Sequence, residues 1–158
     1  MSLMGVISAK PGYSGGRIPN PTYEQVIIGK TGHAEVTEVE FNPGQISFEV
    51  LLSVFFSTHD PTTVNRQEGD IGEQYRSVIF YTSEEQNKQA EDFIKQLEVD
   101  KVFSNSIVTQ IEPFQAFYEA EDYHKNYYER NKDKPYCQVV INPKLAKLKQ
   151  KFASLIKI

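Results

Sequence analysis

The chain has 158 residues, 39% hydrophobic and 24% charged, the balance of one soluble globular domain with enough apolar material for a core. A net charge of −4 argues against a nucleic-acid partner, and no apolar run reaches the length of a membrane span or follows a basic start as in a secretion signal. One cysteine, Cys137, excludes an internal disulfide and suits a reducing, cytoplasmic compartment.

In chain order, Met1 to Met4 reads as a short leader or expression scar, ahead of a domain over residues 5–158. Gly12 to Pro21 is turn-rich, punctuated by Gly15-Gly16 and Pro19-Asn20-Pro21. Ala34 to Phe41 predicts a strand. Its apolar phase slips between Val36 and Val39, so it carries a bulge or is buried on both faces. Asn42-Pro43-Gly44 ends it. Ser47 then caps a helix to about Thr58, with Phe48, Leu51, Leu52, Phe55 and Phe56 at helical spacing.

The most informative stretch is His59 to Arg76, a polar block between that helix and the next strand. A loop of this length inside a compact domain is usually functional or disordered. Asn65, Arg66, Gln67, Asp70, Gln74, Tyr75 and Arg76 crowd it with hydrogen-bonding groups, and Gly69 and Gly72 allow tight bends.

Ser77 to Thr82 predicts a short strand, and Ser83 with Gln86 a capping box opening a helix through Leu97, buried on Ala90, Phe93, Ile94 and Leu97. Ile107 to Ile111 alternates as a strand that stops before Pro113. Glu119 to Arg130 reads as a polar, tyrosine-rich helix. Asn142-Pro143 opens a last helix with Leu145, Leu148, Phe152 and Leu155 on one face. There are no repeats and no linker. Strands interleave with helices through meandering loops, which predicts an α+β fold: one two-layer sandwich of helices on a mixed sheet.

Position alone says little about chemistry. Glu35 at a strand entrance reads as a solvated glutamate like Glu38 and Glu40, Tyr23 and Tyr75 as amphipathic core-edge residues, and Asp70 as a turn aspartate beside glycine. His124 and Tyr127, three apart on the expected helix, share a face, as Tyr123 and Tyr127 do at four apart. His33, His59 and His124 have no Cys/His spacing around them that would make a zinc site. No phosphate loop, nucleotide fingerprint or nucleophile elbow is present.

Taken together, five ordered motifs resemble peptide-methionine sulfoxide reductase of the A type. Among them are Gly12-Tyr-Ser-Gly-Gly-Arg-Ile-Pro-Asn-Pro-Thr-Tyr23, Gly29-Lys-Thr-Gly-His-Ala-Glu35, the block from His59 to Arg76, and Tyr118-Glu-Ala-Glu-Asp-Tyr-His124, whose pattern runs on to Tyr127. The likeness runs from residue 5 to about 143. It implies that Glu35 supplies a proton to the sulfoxide oxygen, which near neutral pH needs a raised pKa. It implies that the Tyr23 and Tyr75 hydroxyls bind that oxygen, that Asp70 organises a bound water and the substrate, and that His124 and Tyr127 border the substrate pocket. Cys137 stands close to the family's recycling cysteine and reads equally as a buried, inert thiol or a resolving one.

The family's Gly-Cys-Phe-Trp segment, with its nucleophilic cysteine and the rings that hold the substrate methyl, is not among these 158 residues, nor are its first strand and most of its first helix. The resemblance implies a peptide-methionine (S)-S-oxide reductase acting on free or protein-bound methionine sulfoxide, with thioredoxin or another thiol as reductant and no bound cofactor or metal. The chain as written is expected to be inactive. The rival reading is a non-catalytic module that binds methionine sulfoxide or an oxidised peptide; a purely structural protein would leave the motifs to coincidence.

Overall fold

The computed structural model describes residues 3–121, 130–135, 138–139 and 142–156. Two of the predicted helices, after Ser47 and after Ser83, form where periodicity and caps place them. In α2 (Phe48–Thr58) the Ser47 hydroxyl accepts from Val50 N at 3.1 Å. In α3 (Glu84–Val99) Ser83 accepts from Gln86 N at 3.2 Å, but Gln86 returns its carbonyl to Thr82 N at 2.8 Å, so the reciprocal half of the capping box falls one residue early. A helix unforeseen from the sequence, α1 (Tyr23–Ile27), closes a full capping box between Thr22 and Gln25, at 3.2 and 2.9 Å. The last helix, α4, spans Asn142–Lys151; Phe152 and Leu155 lie beyond it, Leu155 in a short 3-10 turn.

Three strands make an antiparallel sheet in the order β2-β1-β7: β1 (Val6–Ser14), β2 (Ala34–Phe41) and β7 (Phe117–Glu119). Three expectations are corrected here. The turn-rich segment from Gly12 begins inside a strand, because β1 is paired with β2 along its length and with β7 at its end. A Cβ on Gly12 would collide with the Phe117 ring and Tyr118 O, so the glycine that suggested a turn instead permits close strand packing. Glu119, expected to start a helix, ends β7; most of that expected helix, residues 122–129, lies outside the described residues. The bulge or two-faced burial expected between Val36 and Val39 is absent: these residues pair in continuous register with Gly12 to Ala9 and Val39 is exposed, while the register shift along this pair falls between Val6 and Ser8 of β1.

The polar block is partly structured. A hairpin pairs β3 (Arg66–Gln67) with β4 (Asp70–Ile71), and Glu73–Tyr75 forms a 3-10 turn against β2. A separate parallel pair joins β5 (Val78–Tyr81) to β6 (Gln110–Pro113). β6 starts three residues later than predicted and takes in Pro113, opposite Tyr81.

The main core lies between this pair and the helices: Leu52, Phe56, Ile79 and Ala90 are buried, with Phe48, Phe55, Phe93, Ile94, Leu97, Ile107 and Ile111 packed around them. Phe56 stacks on Phe93 with ring centroids 5.6 Å apart. A second cluster, Tyr13, Val26 and Ala120, binds α1 to the three-stranded sheet. Leu3 bridges to Ile156, and Met4 N donates to Leu155 O at 2.6 Å. No helix among the described residues is long and apolar enough to cross a membrane.

Candidate active site

Four sequence-predicted residues come from four different elements. Tyr23 opens α1, one turn before the buried Val26; Glu35 is the second residue of β2, paired with the buried Tyr13; Asp70 opens β4; Tyr75 ends the 3-10 turn. They lie close enough for the Asp70 carboxylate to act on Glu35, and for both carboxyls to act on the two phenols. Burial raises the Glu35 carboxyl above its ordinary value, and the Asp70 carboxylate raises it further. Burial also raises both phenols. Glu35 and Asp70 are the next causes for each, followed by Glu24 at Tyr23 and by Tyr23 itself at Tyr75, where the Gln74 side chain acts weakly in the opposite sense. Glu35 keeps exposed surface. The surrounding protein therefore displaces its pKa without removing it from water.

Such a cluster has a definite chemical competence. Phenols with raised pKa stay protonated and remain hydrogen-bond donors, and a carboxyl with raised pKa can carry a proton nearer neutrality than an ordinary glutamate. Together they suit an acceptor oxygen that gains negative charge and then takes a proton.

The supporting contacts were not assigned from the sequence. Glu121, in the stretch beginning at Tyr118, accepts from Tyr23 N at 2.9 Å and so fixes the start of α1 from 98 residues away. His33 is buried: its Nδ1 accepts from Gly16 N at 2.9 Å, so its Nε2–H donates to Ile18 O at 2.7 Å, folding the glycine loop over the entrance of β2. Its ring packs edge-on against Tyr118, with centroids 5.5 Å apart. Thr22-x-x-Gln25 after Pro21 was the one legible sign of α1.

His59 stands apart from the cluster. Its Nδ1–H donates to Phe55 O at 2.6 Å, and its Nε2 accepts from Ser77 Oγ at 2.7 Å; Ser77 in turn lies 2.8 Å from Thr109 Oγ1. Burial lowers its pKa, the strongest of several causes. A cavity of about 490 Å³ beside it, between the end of α2 and the start of α4, is lined by Asp60, Thr62, Glu68, Lys144 and Lys147 among others and does not include the Glu35 cluster. Its mixed charges select no ligand. Among the described residues no group of three His, Cys, Asp or Glu could hold a metal ion. His124, Tyr127 and Cys137 lie outside the described residues.

Comparison with known proteins gives a consistent result. Residues 1–156 match the family model described as peptide methionine sulfoxide reductase. The peptide methionine sulfoxide reductase MsrA of Sulfolobus acidocaldarius is 54% identical over 150 residues, 95% of this chain and 84% of that protein. That of Saccharolobus solfataricus is 53% identical over 156 residues, 99% of this chain and 87% of that protein. The solved structure of Mxr1 from Saccharomyces cerevisiae in reduced form superposes with a TM-score of 0.78 at 36% identity, covering 84% of this chain and 76% of that one. Mxr1 in complex with Trx2 gives 0.53 at 28% identity, covering 78% of this chain and 67% of that one.

Proposed function

The chain belongs to the peptide methionine sulfoxide reductase family, and on that premise we propose that residues 5–158 form a domain handling methionine S-sulfoxide, free or in oxidised proteins, through Tyr23, Glu35, Asp70 and Tyr75. The observation that carries this reading is that four separate elements bring Glu35 and Asp70 close enough to bear on both phenols, and Asp70 on Glu35. The two phenols donate hydrogen bonds to the sulfoxide oxygen. Glu35 holds the proton that this oxygen takes up, and Asp70 keeps that carboxyl protonated to higher pH.

In the complete reaction a thiolate gives its electron pair to the sulfoxide sulfur. The S–O bond breaks, methionine leaves with both its carbon–sulfur bonds intact, and the oxygen ends on the attacking sulfur as a sulfenic acid. Two reducing equivalents from thiols then return it to the thiol with release of water. Thioredoxin is the reductant we propose, in a reducing compartment such as the cytoplasm; the complex of Mxr1 with Trx2 supports this partner. His124 and Tyr127 are proposed to border the substrate. No prosthetic group enters this scheme.

The 158 residues contain one thiol, Cys137, so binding and turnover are tested separately. A methionine S-sulfoxide peptide added to the ¹³C-tyrosine-labelled chain should shift the Tyr23 and Tyr75 ring signals. Tyr23→Phe and Tyr75→Phe should each weaken binding by about tenfold, the scale of one hydrogen bond. Equal affinity in both variants would refute the oxygen site. With dithiothreitol the 158 residues should show no turnover. Turnover that disappears in Cys137→Ser would instead make Cys137 the attacking thiol.

A further inference from the structure

Tyr75 lies between two residues whose side chains hydrogen-bond to different elements, and the Gln74 side chain also bears on the Tyr75 phenol. Gln74 is buried, 4% exposed, and its Nε2 donates to Ile27 O at 3.1 Å, at the end of the helix that Tyr23 opens. Arg76 donates from Nη2 to Gly32 O at 3.1 Å, three residues before Glu35, and from Nη1 to Glu73 O at 2.9 Å within Tyr75's own turn. The backbone makes room for both. A Cβ on Gly72, whose φ is +148°, would collide with the Gln74 amide, and one on Gly15 (φ +90°) would meet the Arg76 guanidinium and the Phe80 ring.

Gln74 also stands at a disadvantage to stability. Its Oε1 is buried without a hydrogen-bond partner among the described residues, a condition an apolar side chain of the same length would avoid. What the amide supplies in return is the donor to Ile27 O. Arg76 cannot lose its charge at any physiological pH, and its planar fork reaches two carbonyls at once.

We propose that Gln74 and Arg76 are positioning residues that hold the Tyr75 turn against the Tyr23 helix and the Glu35 strand, and so set the spacing of two hydroxyls and one carboxyl around a single sulfoxide oxygen. The proposal rests on the oxygen-site reading above. Misplacing such groups by about 1 Å is enough to cost a reaction on the order of a hundredfold.

The test compares the unsubstituted chain with Gln74→Met, which keeps the length but removes the donor, and Arg76→Lys, whose single ammonium cannot span both carbonyls. The Glu35 carboxyl is titrated by ¹³C NMR, melting is recorded, and affinity for a methionine S-sulfoxide peptide is measured. In both variants the Glu35 midpoint should move down towards the ordinary carboxylate range, since burial and Asp70 no longer bear on it fully. Peptide affinity should fall about tenfold. Should Gln74→Met not fold, Gln74→His takes its place; its ring N–H can still donate to Ile27 O, and it should restore the midpoint in part. An unchanged Glu35 midpoint in both variants overturns the proposal, whatever the melting temperature does. The titration needs no ligand, so failure of the unsubstituted chain to bind peptide would count against the oxygen site, and the Glu35 midpoint would still judge the positioning residues.

Discussion

Glu35 shares its strand with Glu38 and Glu40, and burial, with Asp70 next, raises its pKa. The cause is place: Glu35 pairs with the buried Tyr13 at the closed end of β2, within reach of Asp70. The sign of its effect on stability follows. A carboxyl with a raised folded pKa favours folding most fully below the unfolded value, about 4.5, and that contribution is lost as pH rises through the folded value. Glu35→Gln should therefore be the more stable protein at pH 7, by a small margin because the side chain keeps exposed surface. The margin should shrink to nothing as pH falls below about 4.5. Denaturant midpoints of both proteins across pH 3.5–8 would show it, and a margin that grew towards acid would contradict the raised pKa. None of this was legible in the residues themselves, where Glu35, like Glu38, is a strand glutamate followed by a valine. It came from the resemblance. Gln74, Arg76 and Glu121 stood in view as polar residues, but the partners by which they tie separate elements together lie 44 to 98 residues away along the chain, beyond any local pattern.

At the scale of elements, what could be read was what local chemistry decides. Ser47 and Ser83 cap α2 and α3 as expected, because a side-chain oxygen satisfies an amide two or three residues on and needs no tertiary partner. Ser83→Ala should lower stability by about 1 kcal/mol in thermal or denaturant melts. Gln86→Ala should cost less, since its carbonyl bonds the Thr82 amide and hydroxyl in an exposed position rather than completing the box. β1 escaped notice for the opposite reason. Pro11 and Gly12 oppose strand formation locally, and pairing on both sides outweighs them: Pro11 lacks a donor, but its carbonyl accepts from Ala120 N at 2.9 Å. Glu119 likewise suits either helix or strand, and its pairing with Gly12 decides. Leu52→Ala, in the cluster with Phe56, Ile79 and Ala90, should cost about 2–5 kcal/mol without moving the Glu35 titration, since core and site occupy different clusters.

Across the whole molecule, the polar block from His59 to Arg76 joins the apolar half, made of α2, α3, β5 and β6, to the sheet that bears Glu35. His59 anchors its first end. The Nδ1–H must face Phe55 O, which can only accept, so the neutral ring receives the Ser77 proton at Nε2 and ties the end of α2 to β5 and to Thr109. Protonation would put a second donor against Ser77 and a positive charge near Lys144, and burial already lowers the pKa. A lowered folded pKa means that the unfolded chain binds the proton more readily. This contribution to stability is full above about 6.5 and is lost as pH falls towards the folded value. Glu35 acts in the opposite sense over an adjoining range, so total stability alone will not isolate His59. The difference between the chain and His59→Gln will. At pH 7.5 the variant should be less stable by about 1–3 kcal/mol, the cost of breaking a buried hydrogen-bonded network. As pH falls below about 6.5 the two denaturation curves should draw together, because the buried imidazole of the parent then disfavours a proton that the unfolded chain takes up. Curves that stay parallel from pH 7.5 to 5 would show that His59 is held by packing between Phe55 and Phe56 and not by its two hydrogen bonds.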